Sequence, residues 1–219
     1  MAKPKVPPQI STQSKNPFTQ LKMSSPVFIE MNSKQGSYKI TDTLYLGTHL
    51  QASNDNELKK LKITHILSID KLIKKPKIKV KILEIDVDKL GKSNLNNILK
   101  KCKSFYNDDI VNQSNNKIFI CDKICVSSSP LIAILLLMVY NKVSLNEAYT
   151  QVSKVNKKSV LHDGYVNQLI KIENDYHGQN TMKQSDFNTT KNKIDNILSM
   201  MKKAHDDLYQ NNQKIPGTQ

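Results

Sequence analysis

The amino-acid sequence predicts an α/β domain in which a β-sheet is covered by helices. Along residues 38–176, short apolar runs typical of strands alternate with longer segments whose apolar residues recur at helical spacing. The flanking residues 1–37 and 177–219 are much more polar. A chain of 219 residues therefore divides into one domain, a polar proline-containing N-terminal tail, and a C-terminal linker with an amphipathic helix.

The first half of the domain is predicted to contain four strands and one helix. Residues 38–40 and 44–47 form two short strands around a Thr-Asp-Thr turn. A helix over residues 54–61 then leads into a strand over residues 64–69. A loop dense in lysine precedes a further strand within residues 80–87.

The second half is predicted to be mainly helical around one central strand. Residues 95–106 place apolar side chains on one helical face. Residues 118–120 form a short apolar strand that enters a loop over residues 121–129, and Pro130 suits the first position of the apolar helix that follows. Two more helices are predicted over residues 144–155 and 164–176.

Several classes of protein are disfavoured by composition. The longest apolar run, residues 131–140, has ten residues, whereas a membrane-spanning helix needs about 20. The N-terminal tail lacks the apolar region of a signal peptide, so we expect a cytoplasmic protein. Three cysteines are too few for a disulfide framework, and the Cys121/Cys125 pair lacks further metal-binding neighbours. We therefore predict no metal and no cofactor.

The positive charge comes entirely from lysine. The chain has 33 basic residues against 19 acidic residues, a formal net charge of +14, and no arginine. Abundant lysine and asparagine are typical of an AT-rich coding genome, so part of this charge reflects codon usage. Without arginine, no planar guanidinium can bind a phosphate or a carboxylate through two parallel hydrogen bonds.

A series of short motifs follows the predicted elements in order. They are Ile40-x-x-x-Leu44-Tyr45-Leu46-Gly47 with Ala52 just after, Leu58-x-x-Leu61-x-Ile63-Thr64-His65-Ile66-Leu67, Glu147-Ala148, and Gly164-Tyr165-x-x-Gln168-Leu169. In this order and spacing they resemble the dual-specificity protein phosphatases of the cysteine phosphatase superfamily, over residues 38–175. The resemblance implies a central mixed sheet flanked by helices, with a phosphate-binding loop between the central strand and the following helix.

The predicted loop departs from the family pattern at the positions that carry the chemistry. In the family it has the form His-Cys-x-x-Gly-x-Ser-Arg-Ser. In this chain Cys121 stands at the histidine, Asp122 at the nucleophilic cysteine, Cys125 at the glycine and Ser128 at the arginine, while Ser127 and Ser129 are retained. The resemblance also implies a general acid just beyond the strand within residues 80–87, where Asp88 or Lys89 stands depending on the alignment. Asp88 could serve as that acid, but it would have nothing to protonate.

These substitutions predict a catalytically inactive pseudophosphatase. Asp122 is a poorer nucleophile than a thiolate and would repel a phosphate dianion. Ser128 supplies no cation for the charge that develops during phosphoryl transfer. We consider two conformations for this loop. Either the Asp122 carboxylate accepts hydrogen bonds from the backbone N–H groups of the loop, or the loop relaxes around the side chain of Cys125.

Two lysine clusters and one apolar stripe are candidate binding surfaces. The first cluster, here called the lysine loop, lies between residues 71 and 81, and the second lies on the following helix. Their members are Lys71, Lys74, Lys75, Lys77, Lys79 and Lys81, and then Lys100, Lys101 and Lys103. Both indicate either an acidic partner or a solvated face. Nucleic acid is disfavoured because the chain lacks arginine and the lysine loop contains no aromatic residue for stacking.

The C-terminal stripe consists of Ile194, Ile197, Met201, Ala204 and Leu208, at alternating spacings of three and four. It follows a segment, residues 177–188, whose composition is that of a flexible linker. We expect the stripe to dock into a groove of another protein. The alternative is that it packs back on the domain.

The leading functional hypothesis is a structural scaffold that binds acidic protein surfaces within a larger assembly. The resemblance implies this role because the family includes inactive members, some built into large assemblies such as ciliary microtubules, whose tubulin surface is acidic. That placement would be cytoskeletal or ciliary. One alternative is a phosphoprotein-binding decoy that regulates phosphatase signalling, and another is an RNA or ribonucleoprotein binder.

Overall fold

A computed structural model describes residues 36–88, 91–113 and 115–187. Its centre is a sheet of five strands: β1 (Tyr38–Lys39), β2 (Leu44–Thr48), β3 (His65–Ile69), β4 (Lys81–Ile85) and β5 (Ile118–Asp122). The strand order is β1-β2-β5-β3-β4. Only β1 pairs antiparallel to its neighbour, and the other pairs are parallel. The sheet is therefore mixed, which confirms the predicted fold class.

The strands divide the core into two layers because successive side chains point to opposite faces of a sheet. In β5, Ile118 and Ile120 belong to the larger apolar cluster, whereas Phe119 and Cys121 belong to a smaller cluster on the other face. Gly47 lies where β2 crosses this smaller cluster. A Cβ atom at Gly47 would come within 2.3 Å of the Phe119 ring, so no larger residue fits there.

Six α-helices and one π-helix flank the sheet in the described residues, and a short 3₁₀ helix (Gln184–Asp186) follows them. They are α1 (His49–Ala52), α2 (Asp55–Leu61), α3 (Leu95–Cys102), a π-helix (Lys103–Val111), α4 (Ser128–Tyr140), α5 (Leu145–Val155) and α6 (Asp163–His177). The predicted helices are confirmed at nearly these bounds. Two features differ from the prediction: the short helix α1 was not expected, and the helix that begins at residue 95 continues as a π-helix to residue 111.

Helix α4 lies at the centre of the larger cluster and is buried on every side. All residues from Ser129 to Val139 are buried, as expected for a helix that is apolar around its whole circumference. Pro130 was expected at the first helical position but is the third residue of α4. It still lies in the first turn, where a backbone N–H has no partner within the helix. In the described part of the chain, no helix has the length and apolar character required to cross a membrane.

The segment after α6 packs on the domain, so the prediction of a flexible linker from residue 177 is wrong as far as residue 187. Met182 and Phe187 are buried in the larger cluster. The fully buried carboxylate of Glu173 accepts hydrogen bonds from the backbone N–H of Leu145 at 2.7 Å and of Thr181 at 2.8 Å. Glu173 thereby joins the start of α5 and the C-terminal segment to α6.

We expect Glu173→Ala to lower the free energy of unfolding by about 3 kcal/mol, because it leaves buried N–H groups without an acceptor. Glu147→Ala is the matched control. Glu147 is exposed and accepts a hydrogen bond from Ser144 in the capping box of the same helix, α5, so its loss should cost about 1 kcal/mol. Urea unfolding followed by circular dichroism measures both values. Equal losses would show that Glu173 does not join these segments.

Candidate functional site: the loop between β5 and α4

The loop of interest connects the end of the central strand to the start of the buried helix. β5 ends at Asp122 and α4 begins at Ser128. Backbone N–H groups at a helix start lack partners within the helix, and the helix dipole is positive there. Ser127 stands at the N-cap position, but its side chain forms no capping hydrogen bond. A strand, a tight loop and a helix N-terminus in this arrangement form an anion-binding site.

The Asp122 carboxylate occupies the centre of this arrangement. Its Oδ1 atom accepts hydrogen bonds from the backbone N–H of Ile124 at 2.8 Å and of Cys125 at 2.5 Å. Its Oδ2 atom accepts from the backbone N–H of Ser129 at 2.8 Å and from the Ser129 hydroxyl at 3.0 Å. Asp122 is only 7% exposed. The donors that were expected to converge on this carboxylate do converge on it, so the side chain takes the place of an external anion.

The backbone of the loop keeps a conformation suited to glycine although it contains none. Cys125 has φ +52°, in the left-handed region, which costs a residue with a Cβ atom roughly 1–2 kcal/mol. The amide of the fully buried Asn156 donates to the carbonyl oxygen of Cys125 at 2.7 Å. The backbone N–H of Val160 donates to the carbonyl oxygen of Val126 at 2.9 Å. The alternative of a relaxed loop is therefore not what the structure shows.

Asn156 was not identified from the sequence. It lies 31 residues after Cys125, and a single buried asparagine at the end of a helix carries no local signal of such a contact. Its position as the residue that ends α5 brings it beneath the loop. Asn156 thus holds the loop in place together with Asp122.

The two cysteines of the loop are not in a state to act as nucleophiles. Burial raises the pKa of the Cys125 thiol to about 12, and the charge of Asp122 adds to this effect. Burial likewise raises the pKa of the Cys121 thiol far above its usual value. Both cysteines therefore remain neutral thiols near pH 7. Because the thiolate is the nucleophile, neither is suited to attack a phosphate.

Asp88, the candidate general acid, lies in a loop that is held by α6. Its Oδ1 atom accepts a hydrogen bond from the backbone N–H of Lys92 at 3.2 Å. The Tyr165 hydroxyl donates to the backbone carbonyl of Asp88, and the Gln168 amide donates to the carbonyl of Ser93 at 3.0 Å. Tyr165 and Gln168 belong to a motif that was identified from the sequence without a role. The structure gives them one, which is to position the Asp88 loop.

Among the described residues, no lysine of the two clusters forms an ion pair with the loop between β5 and α4. All six lysines of the lysine loop are exposed, as are Lys100, Lys101 and Lys103. Lys81 forms an ion pair with Asp109 at 3.1 Å. The stripe residues Ile194, Ile197, Met201 and Leu208 lie outside the described residues, so the structure does not test their role. No three metal-ligating side chains converge within residues 36–88, 91–113 and 115–187.

Comparisons with known proteins agree with this fold. Residues 44–175 match the family model "Dual specificity phosphatase, catalytic domain". A curated relative, the MAP kinase phosphatase with leucine-rich repeats protein 1 of Dictyostelium discoideum, is 29% identical over 136 residues. That match covers 62% of this chain but only 16% of the relative, so the chain corresponds to a small part of that protein.

Solved structures show the same architecture at low sequence identity. Human DUSP28 superimposes with a TM-score of 0.58 at 19% identity, covering 64% of this chain and 95% of that chain. The human tyrosine phosphatase-like serine/threonine/tyrosine-interacting protein superimposes with a TM-score of 0.57 at 22% identity, covering 64% and 97%. At these identities the likeness concerns the fold.

We expect the cysteines of the native protein to resist alkylation at about pH 8, where a free thiol is partly ionised. Cys102, Cys121 and Cys125 are all buried, and each has a raised pKa. Mass spectrometry after brief treatment with iodoacetamide should find all three labelled only when urea is present. Rapid labelling of Cys121 or Cys125 in the folded protein would contradict this description of the loop.

We expect Asp122→Asn to lower the free energy of unfolding by about 2 kcal/mol although it preserves size. Both carboxylate oxygens of Asp122 accept from backbone N–H groups, so an amide in either orientation points its NH₂ group at a donor. Asp55→Asn is the matched control. Asp55 uses only Oδ1 in its described bonds, from the backbone N–H groups of Lys77 and Ile78, and an amide oxygen can replace it.

The free energy of unfolding of the Asp55→Asn control should therefore fall by less than about 1 kcal/mol, mainly because a charge is removed from the first turn of α2. Urea unfolding of both variants beside the parent protein gives the comparison. If Asp122→Asn were as mild as Asp55→Asn, the carboxylate would not be the element that organises the loop.

Proposed function

The chain belongs to the dual-specificity phosphatase family, and we propose that it is a non-catalytic member that serves as a scaffold by binding acidic surfaces of other proteins. The observation that carries the proposal is the position of Asp122, whose carboxylate fills the loop where the family binds phosphate. A loop that already contains an anion is poorly suited to bind another one.

Three features support the absence of phosphatase activity. The residue at the nucleophile position is a carboxylate engaged by four hydrogen bonds. The neighbouring thiols are neutral, and the chain contains no arginine to bind the equatorial oxygens of a transferring phosphoryl group. Electrostatic stabilisation of the transition state is usually the largest contribution to catalysis, so losing it together with the nucleophile removes many powers of ten in rate.

The binding half of the proposal is supported by the distribution of charge. A formal net charge of +14 carried by lysine favours association with acidic surfaces without requiring one defined phosphate site. The structural neighbour with the tyrosine phosphatase-like fold is named as an interacting protein. We propose the same mode of action for this chain, within a cytoplasmic assembly, and the acidic tubulin surface of ciliary microtubules is the partner that we would test first.

The other two candidate functions have less support. A phosphoprotein decoy needs a loop that accepts phosphate, and Asp122 opposes this by charge and by occupying the donors. An RNA binder is expected to present arginine and exposed aromatic side chains, and only 6% of the residues are aromatic. Binding to protein is therefore the function that we favour.

The proposal predicts no hydrolysis of an aryl phosphate above the background without enzyme, with an active family member as the positive control. A phosphopeptide and its unphosphorylated form should bind with equal affinity, or not at all, in fluorescence anisotropy. Asp122→Ala tests the cause, because freeing the donors should let inorganic phosphate raise the melting temperature of the variant and not that of the parent. Turnover by the parent protein would overturn the proposal, and selective phosphopeptide binding by the parent would favour the decoy.

A further inference from the structure

The lysine loop between β3 and β4 is held in one conformation by polar side chains. Asp55 at the start of α2 accepts a hydrogen bond from the backbone N–H of Lys77 at 2.8 Å. The hydroxyl of Ser53 donates to the carbonyl oxygen of Lys74 at 2.6 Å. Pro76 lies between these two tethers and restricts the backbone further. The loop is thus held in place although only its last residue, Lys81, belongs to a helix or strand.

The loop is also anchored by apolar side chains on its inner side. Leu72 is 5% exposed and packs in the smaller cluster, with Ile78 and Val80 partly buried against the same cluster. Glu84 in β4 accepts a hydrogen bond from the backbone N–H of Leu72 at 3.2 Å. The inner side of the loop therefore replaces the helix that normally covers a sheet between two parallel strands.

One apolar side chain of the loop points the other way. Ile73 follows the buried Leu72 directly, yet it is 71% exposed, the largest exposure among the large apolar residues of the described chain. A single exposed aliphatic residue is ordinary on a protein surface. The position of Ile73 is unusual because charged side chains surround it in the sequence and the backbone beneath it is fixed.

Within residues 36–88, 91–113 and 115–187, no carboxylate forms an ion pair with the lysines around Ile73. Lys71, Lys74, Lys75, Lys77 and Lys79 are all exposed. None of these five lysines takes part in the ion pairs formed among the described residues. The nearby carboxylates of Asp55 and Glu84 accept hydrogen bonds from the backbone of the loop instead of contacting these ammonium groups. The outer side of the lysine loop is consequently a row of positive charges on a tethered backbone, with an aliphatic side chain among them.

We propose that the lysine loop is a docking surface for an extended acidic segment of a partner protein that carries one apolar side chain, which contacts Ile73. Glutamates or aspartates of that segment pair with the lysines, and its apolar residue covers the exposed isoleucine. This inference rests on the proposed function and specifies where on the surface the acidic partner binds.

The fixed geometry favours a protein segment over an anionic membrane. A loop that is already in its binding conformation gains affinity for a partner of defined shape, because less conformational entropy is lost on binding. A fluid lipid surface adapts to any spacing of charges and needs no such order. One aliphatic side chain also offers little apolar area for insertion into a bilayer.

The test uses two synthetic peptides of alternating glutamate and aspartate, one with a central leucine and one with serine in its place. Fluorescence anisotropy measures their binding to the full chain and to three variants. The variants are Ile73→Ser, the double variant Lys74→Glu/Lys75→Glu, and the control Lys154→Glu/Lys171→Glu, which makes the same change in net charge on α5 and α6. Ile73 and the four substituted lysines are all exposed. Circular dichroism checks that each variant is folded.

The parent should bind the leucine peptide about tenfold more tightly than the serine peptide, a difference of about 1.4 kcal/mol. Ile73→Ser should remove this difference. The lysine-loop double variant should weaken the binding of both peptides at least about tenfold, whereas the control on α5 and α6 should weaken it about twofold or less. These results together support the docking surface.

Equal losses in the two double variants would overturn the inference, because they would show dependence on net charge alone. The same holds if Ile73→Ser has no effect, or if binding to phosphatidylserine vesicles exceeds peptide binding and depends on Ile73. In those cases the binding of acidic proteins can still hold at another surface. If the parent binds neither peptide at low salt, the proposed function itself fails.

Discussion

The contact between the Asp122 carboxylate and the backbone N–H groups of its own loop is the interaction on which the functional region depends. It joins the last residue of the central strand to the second residue of the buried helix, Ser129. Without it, the start of α4 would have no side-chain cap, since Ser127 provides none, and N–H groups in a buried loop would lack acceptors. One side chain therefore satisfies the donors and places a carboxylate at the positive end of the helix dipole.

Under the proposed non-catalytic role, this arrangement explains how the loop stays folded without a bound phosphate. In an active family member the N–H donors of the loop lack an acceptor until phosphate binds. Such an empty anion site lowers stability because its donors are desolvated without a partner. Here the anion is covalently part of the chain, so the loop is complete at all times. The left-handed conformation of Cys125 is retained at an energetic cost, and Asn156 and Asp122 offset that cost by holding the backbone on both sides.

Much of this description could be predicted from the sequence, and the failures share a physical cause. The strands and helices follow from local periodicity, and the filling of the loop by Asp122 follows because a carboxylate and its donors are neighbours in the chain. Asn156 and Glu173 were missed because they act over 31 and 28 residues, where no local pattern exists. The prediction of a flexible linker after α6 failed for a similar reason. Met182 and Phe187 are two isolated apolar residues in polar sequence, and only the surface that they contact shows that they are buried.

The contacts of the acidic residues show how the net positive charge is distributed over the protein. A net charge of +14 does not say whether the carboxylates form ion pairs with lysines. In the described chain the carboxylates largely contact the backbone instead. Asp122, Asp55, Asp88, Glu84 and Glu173 all accept hydrogen bonds from backbone N–H groups. Acids that stabilise the fold in this way are held close to the backbone, while the lysines extend into solvent. The lysine side chains therefore carry the positive charge at the surface, which is the property that the proposed binding of acidic proteins requires.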